Sequence, residues 1–389
     1  MSRFLIVVPP FTGHINPVIG VAEELRDRGH EVSWAGDEAV LVRALPGPWP
    51  VHACESPVME PRPPHLRGYA AMKHLWDDVL LPLAETMVPG VRQAVRHVRP
   101  DVVLADQQAL AGALVAERAG LPCATSASTS AELTDPLAAM PRVRDWLAGR
   151  LGELRQRHGS PDADGDLRFS PHLVLAFTSP ALAGDVGAAV RFVGPVPRPL
   201  APGDGFPWDR LDVGRRMVLV TMGTVNADVT DGFLRECVAA LGARPGLQGV
   251  VADPGDHLGD LDGDFVRLPW LPVPELLPYA AAVVCHGGHN TVCESLASGV
   301  PLVVAPIRDD QPIIAEQVAT TGAGVRLRFT HSRAEQIGHA LDQVVGDRRF
   351  AAAADLIRKS FATAGGAPAA ANALEDLAAG VHDSRETRT

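Results

Sequence analysis

Apolar positions along the chain fall into short, β-branched runs separated by longer Ala- and Leu-rich stretches of helical period. Residues 4–8, 18–28 and 31–35 read as strand, helix and strand, the opening of a parallel α/β layer. Residues 101–105, 109–119 and 122–126 continue the alternation. It breaks between 193 and 207, where five prolines and three glycines leave no apolar period. It restarts with strands at 217–221, 249–252, 281–285 and 301–305 and helices at 231–241 and from 290. The pattern predicts an N-terminal Rossmann-like domain over 1–195, a linker over 196–215, a second Rossmann-like domain over 216–365, and a C-terminal helix and tail over 366–389. The tail, poor in apolar residues from 381 onward, is expected to fray. Two parallel sheets facing a central cleft would bind ligands at the carboxyl ends of their strands.

Length and composition narrow the picture. The 389 residues are too many for one ordinary core. The formal charge of −11 disfavours nucleic acid and anionic lipid as partners. Five scattered cysteines set in apolar runs read as reduced, buried thiols and point to a cytoplasmic protein. The apolar start is cut short by Pro9 and Pro10, unlike a secretory signal, and no stretch has the roughly 20 apolar residues of a membrane span.

The richest chemistry lies in 281–311. A buried strand ends at Cys285, turns through His286-Gly287-Gly288-His289 and starts a helix at Asn290-Thr291. A small, glycine-rich turn at a helix N-terminus exposes backbone N–H groups to an anion. A departing diphosphate could be received there by the helix start with His286, Asn290 and Thr291, without a metal. Gly223 and Thr224, after the strand at 217–221, offer a second such turn. Trp270, between prolines and beside Leu271, suits stacking on a flat base. In the N-terminal half, His14 follows the first strand and can take a proton near neutral pH. Asp106 ends another strand of that sheet and can orient the imidazole.

The spacing Trp270-x-Pro272, His286-x-Gly288-x-Asn290-Thr291, Glu294 eight residues beyond His286, and Asp310-Gln311 resembles the UDP-glycosyltransferase superfamily of GT-B fold. The bacterial natural-product and antibiotic branch is the nearest likeness, since Val273 replaces a family glutamine and the Trp-to-His interval is short. The Gly13-His14-Ile15-Asn16-Pro17 segment resembles the family's catalytic-base motif. The resemblance implies that Trp270 stacks on the base, that His286, Asn290 and Thr291 hold phosphate, that Glu294 takes the ribose hydroxyls, and that Asp310 and Gln311 hold the sugar. It implies an inverting, metal-independent hexosyltransferase with a UDP- or dTDP-sugar as donor substrate, no separate cofactor, and a small lipophilic acceptor; a homodimer stays open.

Met59, Tyr69, Met72 and Trp76, in the proline-containing stretch 57–83, are the candidate acceptor wall, and residues 126–140 a source of polar contacts. Asp162-Ala163-Asp164 and 260–264 contain the Asp-x-Asp pattern of metal-dependent transferases, but both sit in polar, turn-like loops and predict no metal site. A sugar-nucleotide epimerase of the same fold and a non-catalytic homologue are the competing readings.

Overall fold

The computed structural model describes all residues except 59–61, 64, 65, 67, 185, 187–189, 198–204, 224–229, 260–262 and 387–389, with side chains described as far as 380. The candidates Met59 and Thr224, and Asp260 to Asp262, lie outside the described residues.

Two compact units divide the chain. The first comprises 1–178, 185–198 and 364–389; the second comprises 179–184 and 199–363. The first holds β1 (Arg3–Val7), β2 (Glu31–Gly36), β3 (Val51–Ala53), β4 (Val102–Asp106), β5 (Cys123–Ala127), β6 (Leu173–Ala176) and β7 (Val190–Phe192), in the order β3-β2-β1-β4-β5-β6-β7. The second holds β8 (Arg216–Thr221), β9 (Leu247–Ala252), β10 (Phe265–Leu268), β11 (Ala280–Cys285), β12 (Leu302–Val304) and β13 (Gly324–Arg326), in the order β10-β9-β8-β11-β12-β13. All described strand pairs are parallel.

The strands are apolar on both faces because both faces are covered. Leu5, Val7, Val103 and Ala105 pack on one side of the first sheet, and Phe4, Ile6, Val102 and Leu104 on the other. Each sheet builds outward from its first strand and then restarts on that strand's opposite side. The reversal leaves a crevice between β1 and β4 in one unit and between β8 and β11 in the other, the place where open parallel sheets hold ligands.

The C-terminal segment is not an appendage. The helix Gly366–Glu386 runs on past residue 381, where the sequence predicts an unpacked tail. It packs Ala370, Ala371, Leu374 and Ala378 into the core of the first unit. Arg28 donates to Asn372 Oδ1 (2.6 Å) and Glu375 Oε2 (2.7 Å), and His30 Nε2 meets Glu375 Oε1 at 2.8 Å. These partners lie more than 340 residues apart in sequence, so no local pattern foretells them.

Candidate active site

The first crevice carries His14. The helix that bears it begins at Thr12, six residues before the predicted start, so His14 lies in the first helical turn and not in a free turn. Its backbone N–H donates to Phe11 O at 2.9 Å, which fixes the residue at the carboxyl end of β1. Parallel pairing places Val7 opposite Ala105, so Asp106 follows directly on the neighbouring strand. His14 Nδ1 lies 2.9 Å from Asp106 Oδ1 and 2.7 Å from Ser128 Oγ.

The Asp106 side chain is wholly buried, and that of His14 is 17% exposed. Oδ1 of Asp106 also accepts the backbone N–H of Gln108 at 2.9 Å, whereas Oδ2 is buried without a partner. A buried carboxylate with one oxygen unsatisfied depends strongly on the partners it has. Asp106 therefore fixes the ring with Nδ1 toward itself and Nε2 turned away from the carboxylate. Ser128 falls within the stretch 126–140 flagged for acceptor contacts, but its position against His14 follows only from the sheet: Asp106 pairs with Ser126, two residues before it.

In the second unit Cys285 pairs with Thr221, so the turns after β11 and β8 start side by side. The edge of the His286 ring points between two glycines. A Cβ on Gly223, which has φ +71°, would stand 2.7 Å from Cε1, and one on Gly288 2.6 Å from Nε2. Burial, aided by the positive field of Arg308, lowers the His286 pKa to about 4. The ring is thus uncharged at neutral pH and carries a single N–H, for which the Thr221 backbone carbonyl is one partner. Arg308, in the loop after β12, is a cation of this site that motif spacing did not single out.

The helix His289–Ala297 begins at this turn with Gly288 as its cap. Asn290 and Thr291 are half-buried in its first turn. The His289 side chain is 6% exposed, with Nε2 3.5 Å from Cys293 Sγ. Trp270 is 68% exposed beyond the end of β10, as a stacking platform requires. Leu271 is 4% exposed and packs inward, which leaves only its backbone for a ligand, because alternate side chains leave an extended segment on opposite sides.

Gln311 Oε1 accepts the backbone N–H groups of Ile307 (2.9 Å) and Arg308 (3.0 Å). The side chain thereby shapes the loop that carries Arg308, a role the motif reading did not include. Asp310 stands at the N-cap position of the helix Gln311–Thr321, without a side-chain capping hydrogen bond, next to Asp309 at φ +57°.

Glu294 is half-buried, and loss of solvation alone raises its pKa from 4.5 to about 7. A carboxyl with a raised folded-state pKa stabilises the fold fully below its unfolded value, and that contribution is lost as pH rises to the folded value. Glu294→Gln abolishes the titration. Its Tm relative to wild type is expected to climb from pH 4.5 to about 7 and level off above. Thermal melts across that range check this; a constant difference would show that Glu294 is solvated.

The acceptor wall is only partly as predicted. Trp76 is 3% exposed and belongs to the core beneath the first sheet, because it lies on the inward side of the π-helical turn Leu75–Leu80. Met72 packs on the same core. Tyr69 is 47% exposed and stands edge-on to Trp146 with ring centres 5.9 Å apart. A cavity of about 480 Å³ lies against the helix Pro141–His158, floored by Leu137, Leu147, Leu151 and Leu167. Arg168 at its wall is paired with Glu132 and Asp166. The five cysteines are buried and form no disulfide with one another, and burial pushes the thiols of Cys54, Cys123 and Cys285 up to about 12, so none of these three offers a ready nucleophile.

Two such parallel sheets, each with a strand-order reversal, are those of the GT-B fold. Residues 250–377 match the family described as erythromycin biosynthesis protein CIII-like, C-terminal domain. Over 97% of the chain and 99% of the relative, 30% of residues are identical to 4'-demethylrebeccamycin synthase of Lentzea aerocolonigenes. Demethyllactenocin mycarosyltransferase of Streptomyces fradiae is 29% identical over 97% of the chain and 87% of its own length. The crystal structure of the glycotransferase of kitacinnamycin superposes with a TM-score of 0.78 at 26% identity, covering 97% of this chain and 99% of that one. The chain belongs to the natural-product branch of the GT-B glycosyltransferases, the family of these antibiotic-modifying enzymes. Among the described residues, no helix is long and apolar enough to cross a membrane.

Proposed function

We propose that the protein transfers a hexose or deoxyhexose, with inversion, from a UDP- or dTDP-sugar to a hydroxyl of a small lipophilic natural product, without a metal or separate cofactor. The observation that carries this reading is the contact of His14 Nδ1 with buried Asp106 at the reversal of the first sheet. Nε2 of His14 takes the proton of the acceptor hydroxyl, and the imidazolium so formed is stabilised by Asp106. The freed oxygen attacks the anomeric carbon from the face opposite the diphosphate, so a single displacement inverts that centre. The bond to the diphosphate oxygen breaks with its electron pair.

The developing charge is received by the start of the helix His289–Ala297, by neutral His286 and by Arg308. Trp270 stacks on the base, Asn290 and Thr291 hold phosphate, Glu294 accepts from the ribose hydroxyls, and Asp310 and Gln311 reach the sugar. The spinosyn rhamnosyltransferase SpnG, 26% identical with a TM-score of 0.76, has been crystallised with thymidine diphosphate and with spinosyn aglycone, which supports both ligand classes.

The test is release of nucleoside diphosphate from UDP-glucose and dTDP-glucose against a panel of phenolic, polyketide and macrolide acceptors. Acceptor-dependent release is expected with one donor at least, with inverted anomeric configuration in the product. Calorimetry showing no affinity for either nucleoside diphosphate would overturn the reading.

A further inference from the structure

The geometry points to Ser128 as a positioning residue for His14, a role that rests on the reading of His14 as the base. A ring nitrogen has a single in-plane direction for hydrogen bonding, yet Nδ1 of His14 lies within bonding distance of two oxygens, Asp106 Oδ1 at 2.9 Å and Ser128 Oγ at 2.7 Å. Two arrangements satisfy them. In one, Nδ1 carries the proton and shares it between Oδ1 and a lone pair of Oγ. In the other, the Ser128 hydroxyl donates into a bare Nδ1, the ring proton moves to Nε2, and the atom needed as base is blocked.

Asp106 Oδ1 already accepts from the Gln108 N–H and has no hydrogen to give as a carboxylate, so the charge-assisted bond selects the first arrangement. Ser128 then acts as the second acceptor for Nδ1–H. Its Oγ is held firmly: the residue is 4% exposed and follows β5, whose Ser126 is in register with Asp106. Carboxylate and hydroxyl together hold Nδ1, limit rotation of the ring and keep the lone pair of Nε2 for the acceptor hydroxyl.

The test reads the tautomer directly. In protein labelled with ¹⁵N-histidine, the His14 ring resonances, identified by their loss in His14→Ala, are expected to report Nδ1–H on the neutral ring. Ser128→Ala, and Ser128→Cys as a variant of similar size with a weak sulfur acceptor, are expected to shift the ring toward a mixture of tautomers; Ser128→Thr keeps the hydroxyl and is expected to restore it. In the release assay, with whichever donor and acceptor pair supports turnover, Ser128→Ala is expected to lower kcat by roughly 3- to 10-fold with KM little changed, the loss of one shared hydrogen bond.

An unchanged tautomer in Ser128→Ala and Ser128→Cys would overturn the proposal, as would a rise in Nδ1–H, which would make Ser128 a competing donor. Loss of activity in Ser128→Thr equal to that in Ser128→Ala would show a packing role only. His14→Ala separates the two readings: if it keeps turnover, the base assignment fails; if it is inactive while the Ser128 variants leave the tautomer unmoved, only the role of Ser128 fails.

Discussion

Replacing His14 with alanine is expected to cut acceptor-dependent release of nucleoside diphosphate by about 10²- to 10⁴-fold, the span of a lost general base. Binding of the nucleoside diphosphate is expected to persist, because the anion turn belongs to the second unit and His14 to the first. Stability should fall as well. Asp106 is wholly buried, its Oδ2 already has no partner, and the variant takes the imidazole from Oδ1. A buried acceptor stripped of a partner costs about 1–3 kcal/mol, and more where it is charged. Adding Asp106→Asn to His14→Ala removes that unpaired charge, so the double variant is expected to regain Tm without regaining turnover. Turnover rates and thermal melts of the three proteins check both halves. Wild-type turnover in His14→Ala would remove the histidine from the mechanism.

Gly223→Ala is expected to have the second largest effect, and on a different quantity. At φ +71° a side chain costs roughly 1–2 kcal/mol in backbone strain alone. The added methyl would also stand 2.7 Å from Cε1 of His286, whose ring edge is confined from a second direction by Gly288. The ring must move, and with it the neutral donor proposed for phosphate. Affinity for UDP or dTDP is expected to fall roughly 10- to 100-fold, the loss of one or more hydrogen bonds to a charged ligand, along with a lower Tm. Gly288→Ala separates strain from displacement. Gly288 has φ −62°, so it should weaken binding with a smaller stability loss. Isothermal titration of both variants reads the outcome, and undiminished affinity in Gly223→Ala would detach His286 from the diphosphate.

Both variants probe features of which the sequence shows only half. Gly223 and Gly288 read as glycines of anion-binding turns from their places after apolar runs. That both close on one imidazole depends on β8 and β11 lying side by side, with Thr221 in register with Cys285. In the sequence His14 follows one predicted strand and Asp106 ends another. Their contact needed β1 and β4 to be neighbours although two strands intervene in the chain. Trp76, Leu271 and His289 stand beside other candidate contacts in the sequence, and only the structure shows that each is buried.

The sequence by itself determined the alternation of strands and helices and supplied the residues proposed as base and anion turn, because these rest on hydrophobic period, turn chemistry and local spacing. Tertiary structure alone decided which side of each segment faces inward, that Ser128 meets His14, that Arg308 and Gln311 build one loop, and that the last helix returns to the first unit. Those outcomes depend on strand order and register, and they join residues whose separation in the chain carries no periodic signal.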